Sequence, residues 1–121
     1  ARNADIECVE AAKKRVRQHP EDTRAWTMGA AVFAELGEPD RAADWVGRAL
    51  AVDPDDAIIA YNSACVYVGL RRFDEALRCL EMSIGHGGPF YGWMENDPDL
   101  DPLRGDPRFQ ALMTKFGPQQ T

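Results

Sequence analysis

A chain of 121 residues with 45% hydrophobic and 28% charged residues has the composition of a folded domain and the length to bury a core. Its formal net charge of −6 opposes binding to nucleic acid and docking on anionic lipid, both of which need a cationic surface. No apolar run approaches the roughly 20 residues that a membrane-crossing helix requires.

The chain opens at Ala1 and not at Met, so it reads as a piece of a longer protein whose neighbouring domains lie outside it. Cys8, Cys65 and Cys79 are odd in number and lack CxxC spacing, which favours reduced, packed thiols in a cytoplasmic setting over a disulfide framework.

In chain order, the first expected helix spans 5–18, with an apolar stripe of Ile6, Val9 and Val16. A second over 23–36 follows Asp22 and ends at Gly37, placed for a left-handed turn. A third over 39–52 carries Val46, Ala49 and Leu50 on one face and stops at Pro54. Asp55-Asp56 then suit the start of a fourth over 56–69. A fifth over 73–85 carries Ala76, Leu77, Leu80 and Ile84.

Beyond Gly85-His86-Gly87-Gly88, a short helix over 90–96 holds Trp93 and Met94, and a last one over 107–116 presents Phe109, Leu112, Met113 and Phe116. The expected fold is therefore all-α, with about seven helices.

The chain repeats at an offset of 34 residues. Ala30 falls on Ala64, Phe33 on Tyr67, Asp40 on Asp74, Ala42 on Ala76, Leu50 on Ile84, and Pro20-Glu21-Asp22 on Pro54-Asp55-Asp56. Small residues recur where two helices approach, and aromatic ones where a groove needs filling.

Trp26-Thr27-Met28-Gly29-Ala30-Ala31-Val32-Phe33, followed by Ala42, Val46 and Pro54, resembles the tetratricopeptide repeat. Ala60, Ser63, Ala64, Tyr67, Ala76 and Leu80 form a looser second copy. It lacks the initial Trp, and Gly88 stands where the closing Pro belongs. The resemblance implies a helix-turn-helix solenoid with a right-handed superhelix. It makes 1–121 one repeat domain: a partial unit at 5–18, full units at 23–54 and 57–88, and a degenerate capping unit at 90–116.

The register fails in a third copy because Pro98 falls where Ala30 and Ala64 stood, and a proline inside a helix costs about 3 kcal/mol or more. The carboxylates of Glu95-Asn96-Asp97-Pro98-Asp99-Leu100-Asp101-Pro102-Leu103-Arg104-Gly105-Asp106-Pro107 then read as punctuation. Asp97, Asp101 and Asp106 each precede a proline suited to a first helical turn, with Leu100 and Leu103 pointing inward. The alternate spacing of Asp97, Asp99 and Asp101 matches the first ligands of a calcium loop. Pro102 and Arg108 occupy the positions that need Gly and Glu, so no metal or cofactor is expected there.

His19 and His86 lack a second ligand at metal spacing, and Ser63 and Ser83 sit in helices, not at a nucleophile elbow. Cys65 and Cys79 have no histidine or cationic cluster beside them, and Arg71-Arg72 reads as a solvated turn. No catalytic residue is expected.

Tyr61-Asn62-Ser63-Ala64-Cys65-Val66-Tyr67, followed by the stretches 97–104 and Asp106-Pro107-Arg108-Phe109, resembles the C-terminal repeat region of bacterial multidomain signalling proteins linked to a kinase or nucleotide cyclase. The resemblance implies a non-catalytic, cytoplasmic interaction module that binds a peptide or helix on its concave face. By register that face takes Arg24, Thr27, Ala31 and Ala34 from the first copy and Ile58, Tyr61, Cys65 and Val68 from the second. It lacks the Lys and Asn used to clamp acidic chaperone tails, and its apolar character suits an amphipathic partner. The alternatives are homodimerisation, and a C-terminal segment that fills the groove from within the chain. A ligand-sensing or enzymatic role rests only on the acidic stretch and Trp93.

Overall fold

The computed structural model describes the backbone of residues 2–87 and 91–116, with side chains described for 6–87 and 94–115. Every element among the described residues is helical: α1 (Arg2–Gln18), α2 (Thr23–Glu35), α3 (Pro39–Val52), α4 (Ala57–Gly69), α5 (Phe73–Gly85), α6 (Tyr91–Asn96), a 3-10 helix (Pro98–Leu103) and α7 (Pro107–Phe116). The chain divides into two compact units, residues 1–54 and 55–121. The division falls between the two expected repeat copies.

The offset of 34 is written into the caps. Asp22 accepts from the backbone N–H of Ala25 to start α2, and Asp56 accepts from those of Ile58 and Ile59 to start α4. Each such cap contributes about 1 kcal/mol. At the other ends, the N–H of Glu38 returns to the carbonyl of Phe33, and the N–H of Arg72 returns to that of Tyr67, both at 2.9 Å. These closures need a left-handed residue just before them. Gly37 supplies it at φ 78° in the first unit, and Arg71 adopts it at φ 62° in the second. A side chain in that region costs about 1–2 kcal/mol relative to glycine, so the second turn is the more strained.

In the first unit, α2 packs on both α1 and α3. Ala30, Ala42, Val46 and Ala49 are wholly buried, and Val9, Val16 and Phe33 nearly so. The largest element of this core is aromatic. Trp45 meets Trp26 edge-on with ring centroids 4.9 Å apart, and meets Phe33 in the same manner at 5.0 Å. Such pairs add about 0.5–1.5 kcal/mol beyond the burial of their area. Gly29 makes the arrangement possible: a methyl group on it would lie 2.3 Å from Cζ3 of Trp45. The Trp26 indole N–H donates to the carbonyl of Pro20 at 2.8 Å, tying the preceding turn to the same core.

In the second unit, α4 and α5 repeat the hairpin around Ala64, Ala76 and Leu80, all wholly buried. Ser83 donates from Oγ to the carbonyl of Ala57 at 2.7 Å and joins the end of α5 to the start of α4. Ser63 is wholly buried and its Oγ has no partner, so it serves as a small packing residue.

The register does fail after α6, and the chain then forms the 3-10 helix, with Pro98 in its first turn and Pro102 inside it. Asp97 caps it as expected, by accepting from the N–H of Asp99, and Asp106 accepts from the N–H of Arg108 at the start of α7. Asp101 does not cap. Pro102 is already inside the 3-10 helix, and the Asp101 carboxylate instead takes the Nε–H of Arg104 at 2.8 Å. Leu100 and Leu103 are wholly buried, as are Met94 and all but a trace of Phe109. The Trp93 and Phe116 side chains lie outside the described residues.

Gly29→Ala should destabilise the chain by about 1–3 kcal/mol, the usual range for overpacking a filled core. Gly47→Ala, on α3 with open space around it, should instead be neutral or stabilising by up to about 1 kcal/mol. Urea midpoints followed by circular dichroism check both. Equal midpoints for the two variants would contradict the close approach of Trp45.

Candidate interaction surface

The eight residues expected on a binding face fall on α2 and α4, and the structure divides them by exposure. Arg24, Ala31 and Ile58 are exposed, and Ala34 and Cys65 are half-buried. Thr27, Tyr61 and Val68 are buried, at 4%, 5% and 2% exposure, too little to meet a partner directly. Thr27 is turned inward by its own helix, its hydroxyl donating to the carbonyls of Thr23 and Arg24.

Tyr61 is buried for a different reason. The 3-10 helix packs on α4, and the Tyr61 hydroxyl donates to a carboxylate oxygen of Asp97. Cys65 follows one turn later on α4. Its sulfur and one oxygen each from Asp97 and Asp99 lie within 4.8 Å of one another. Part of the expected binding face is thus covered from within the chain. On α4 the covering element is the 3-10 helix, whereas the Phe109-bearing helix α7 packs on α5.

Arg104 holds this arrangement together, a role that spacing alone did not assign. Its guanidinium donates to the backbone carbonyls of Met94 at 3.1 Å and Asp97 at 2.8 Å, bridging α6 to the 3-10 helix. Its charge also lies 6.0 Å from the centre of the Phe109 ring. Arg108 makes a second tie, donating to Asp74 of α5 and to Asp106. Exposed ion pairs of this type contribute little individually, so the buried Leu100, Leu103 and Phe109 carry the attachment.

Burial shapes the acid–base behaviour of the surface. It is the main cause that pushes the Cys65 thiol up to about 12, aided by the carboxylates of Asp97 and Asp99. Burial likewise raises Cys79 to about 11. The Tyr61 phenol is shifted upward by burial first and by its bond to Asp97 second. At neutral pH all three are protonated, so neither thiol is an activated nucleophile. His19 pairs with Glu21 at 3.2 Å and His86 approaches Asp55 at 3.7 Å, both near the surface. Within the described residues nothing assembles a nucleophile with a base.

Two surface grooves accompany these elements. One, in the first unit, is lined by Lys13, Val16, Arg17, Trp26, Trp45 and Arg48 with Asp44. The Arg48 guanidinium lies 5.5 Å from the centre of the Trp26 ring and pairs with Asp44. The other runs along α5 and α7 over Leu77, Ala111 and Leu112, with a rim of both charge signs. Trp45 was the residue most readily missed in the sequence. It continues the stripe of Ala42, Val46 and Ala49, and counting that stripe at three- and four-residue steps includes it.

Tyr61→Glu would set a new carboxylate against Asp97 in a covered position, so it should lower stability as well as any binding, by several kcal/mol. Tyr61→Phe, which deletes only the hydroxyl, should cost about 1–2 kcal/mol. The thiols predict a pH effect of definite sign. Their folded values lie above the ordinary value of about 8.5, so between about 8.5 and 11 the unfolded chain releases protons that the folded chain keeps. Stability from this source is complete below about pH 8.5 and declines as pH rises. The urea midpoint should therefore fall from pH 8 to pH 10, and fall less when Cys79 is replaced by Ala; a flat profile would contradict the burial of the thiols.

No protein-family model matches the chain. A chloroplastic protein of Arabidopsis thaliana is 34% identical to it over 64 residues, covering 52% of this chain and 19% of that protein. The chain thus spans about a fifth of the length of the curated relative it matches. Among the described residues no helix is long and apolar enough to cross a membrane.

Proposed function

We propose that the chain is a non-catalytic protein-interaction module. In this reading it is a tetratricopeptide-type solenoid with a right-handed superhelix, acting as the C-terminal part of a larger cytoplasmic signalling protein of bacterial type. It binds a peptide or helix of a partner protein. The observation that carries the reading is the exact recurrence of caps at an offset of 34: Asp22 with Asp56, Gly37 with Arg71, and the Phe33–Glu38 closure with Tyr67–Arg72. Two hairpins that start and stop at equivalent residues are what a repeat of this length requires.

Binding would use the residues of the expected face that remain open: Arg24 and Ala31 on α2, and Ile58 on α4. A second reading has one observation in its favour. Because the 3-10 helix covers Tyr61, the C-terminal segment acts as an intramolecular cap that limits what α4 can bind.

The paired substitution Arg24→Glu and Ile58→Glu should leave helicity unchanged and stability within about 1 kcal/mol of the original, since both residues are exposed. It should reduce retention of a partner captured from lysate at least tenfold. Retention by the folded variant equal to the original would remove these residues from the interface. Light scattering across concentrations separates the remaining cases: growth in mass indicates self-association, whereas a monomer that captures nothing indicates the internally capped form.

A further inference from the structure

Cys65, Asp97 and Asp99 form a cluster that the interaction reading leaves without a role. The sulfur comes from α4 and the two carboxylates from the cap and first turn of the 3-10 helix, elements far apart in sequence. Their donor atoms lie within 4.8 Å of one another. A tetrahedral ion with sulfur at about 2.3 Å and oxygen at about 2.0–2.2 Å needs ligands roughly 3.3–3.7 Å apart. Binding therefore requires the donor atoms to close by up to about 1.5 Å.

Charge supplies an independent observation. Some acidic side chains around this segment are matched to arginine, Asp101 to Arg104 and both Asp106 and Asp74 to Arg108, whereas Glu95 is not. Asp97 and Asp99 have no ion pair among the described residues. Arg104, close by, directs its guanidinium to the carbonyls of Met94 and Asp97 and to the Asp101 carboxylate.

The Asp97 carboxylate is also oriented from outside. One oxygen accepts from the N–H of Asp99 at 2.9 Å, and the other accepts from the Tyr61 hydroxyl, which belongs to a buried side chain. Each oxygen keeps a lone pair for a metal, and fixing a ligating carboxylate by such bonds is the usual outer shell of a metal site.

We propose that Cys65, Asp97 and Asp99 bind one divalent ion of the zinc class, with water in the fourth position. The thiolate selects against calcium and magnesium, which take oxygen ligands, and the two carboxylates select against copper(I). As the metal–sulfur bond forms, the S–H bond breaks and its proton passes to solvent, with no change of oxidation state. The ion fastens the 3-10 helix to α4, and so holds in place the segment that covers Tyr61. This site differs from the calcium-loop spacing of Asp97, Asp99 and Asp101, because Asp101 is engaged by Arg104 and the third donor is a thiol. It stands independently of the interaction reading.

The test titrates the full chain with zinc chloride and, separately, with cobalt(II) chloride, following melting temperature and the absorption of the cobalt complex. The expected result is one ion per chain, a melting temperature that rises with zinc concentration, and a sulfur-to-cobalt charge-transfer band. Asp99→Asn, at an exposed position that should leave the fold intact, should weaken zinc binding at least tenfold. Cys65→Ser should abolish the charge-transfer band, with circular dichroism confirming that the variant is folded. Calcium chloride should give no comparable shift. The proposal is overturned if zinc at millimolar concentration causes no shift, if Asp99→Asn binds as tightly as the original, or if calcium acts as strongly as zinc.

Discussion

The close approach of paired helices at alanine is the constraint on which the rest depends. Ala30 and Ala42 in one hairpin, and Ala64 and Ala76 in the other, are all without solvent exposure. A larger side chain at any of them would push the axes apart and open gaps that close-packed interiors do not tolerate. Once the backbones are this near, the larger groups must lie beside the contact. Phe33 and Trp45 do so in the first unit, and Leu80 with its neighbours in the second. The caps follow from the same constraint. Two short helices can lie antiparallel only if the first stops within a turn of a fixed point, and a left-handed residue at Gly37 or Arg71 sets that point.

The two units satisfy this constraint with different chemistry. The first fills its core with three aromatic rings and screens them with cationic stems, with Lys13, Arg41 and Arg48 all within about 6.0 Å of a ring centre. Long basic side chains can cover apolar surface in this manner while their charges stay in water. The second unit packs its hairpin around Leu77, Leu80 and Tyr61, without a cluster of stacked rings among its described residues, and continues into the α6–α7 segment. There Leu100, Leu103 and Phe109 supply burial, and Arg104 and Arg108 supply direction. The prolines of that segment prevent a third regular hairpin, and the 3-10 helix is the form left to a chain that must turn while burying two leucines.

That segment also alters the candidate surface. A face read from register alone assumes that every equivalent position meets the same surroundings. Thr27 and Tyr61 stand 34 residues apart and are both buried, but for different causes. The hydroxyl of Thr27 turns back on its own helix, whereas Tyr61 is held by Asp97 from a separate element. The open part of the face is correspondingly smaller, and it depends on whether the 3-10 helix stays attached.

The helices of the two hairpins were legible because their signals are local. Asp22 and Asp56 precede apolar stripes, Gly37 and Pro54 interrupt them, and Ala30, Ala42, Ala64 and Ala76 recur at one offset. The inward direction of Leu100, Leu103 and Phe109 was legible for the same reason. The 3-10 helix was not, because a run of alternating aspartate and proline caps many kinds of turn equally well. Nor was the meeting of Tyr61, Cys65, Asp97 and Asp99, which depends on how a later segment folds back on α4, and no periodicity encodes that. The sequence by itself determined where the helices of the two hairpins begin and end, to within a residue, since capping and proline act within a few residues. The tertiary structure alone decided which side chains of the expected face remain open, because exposure is set by what packs on a helix, not by its own order of residues.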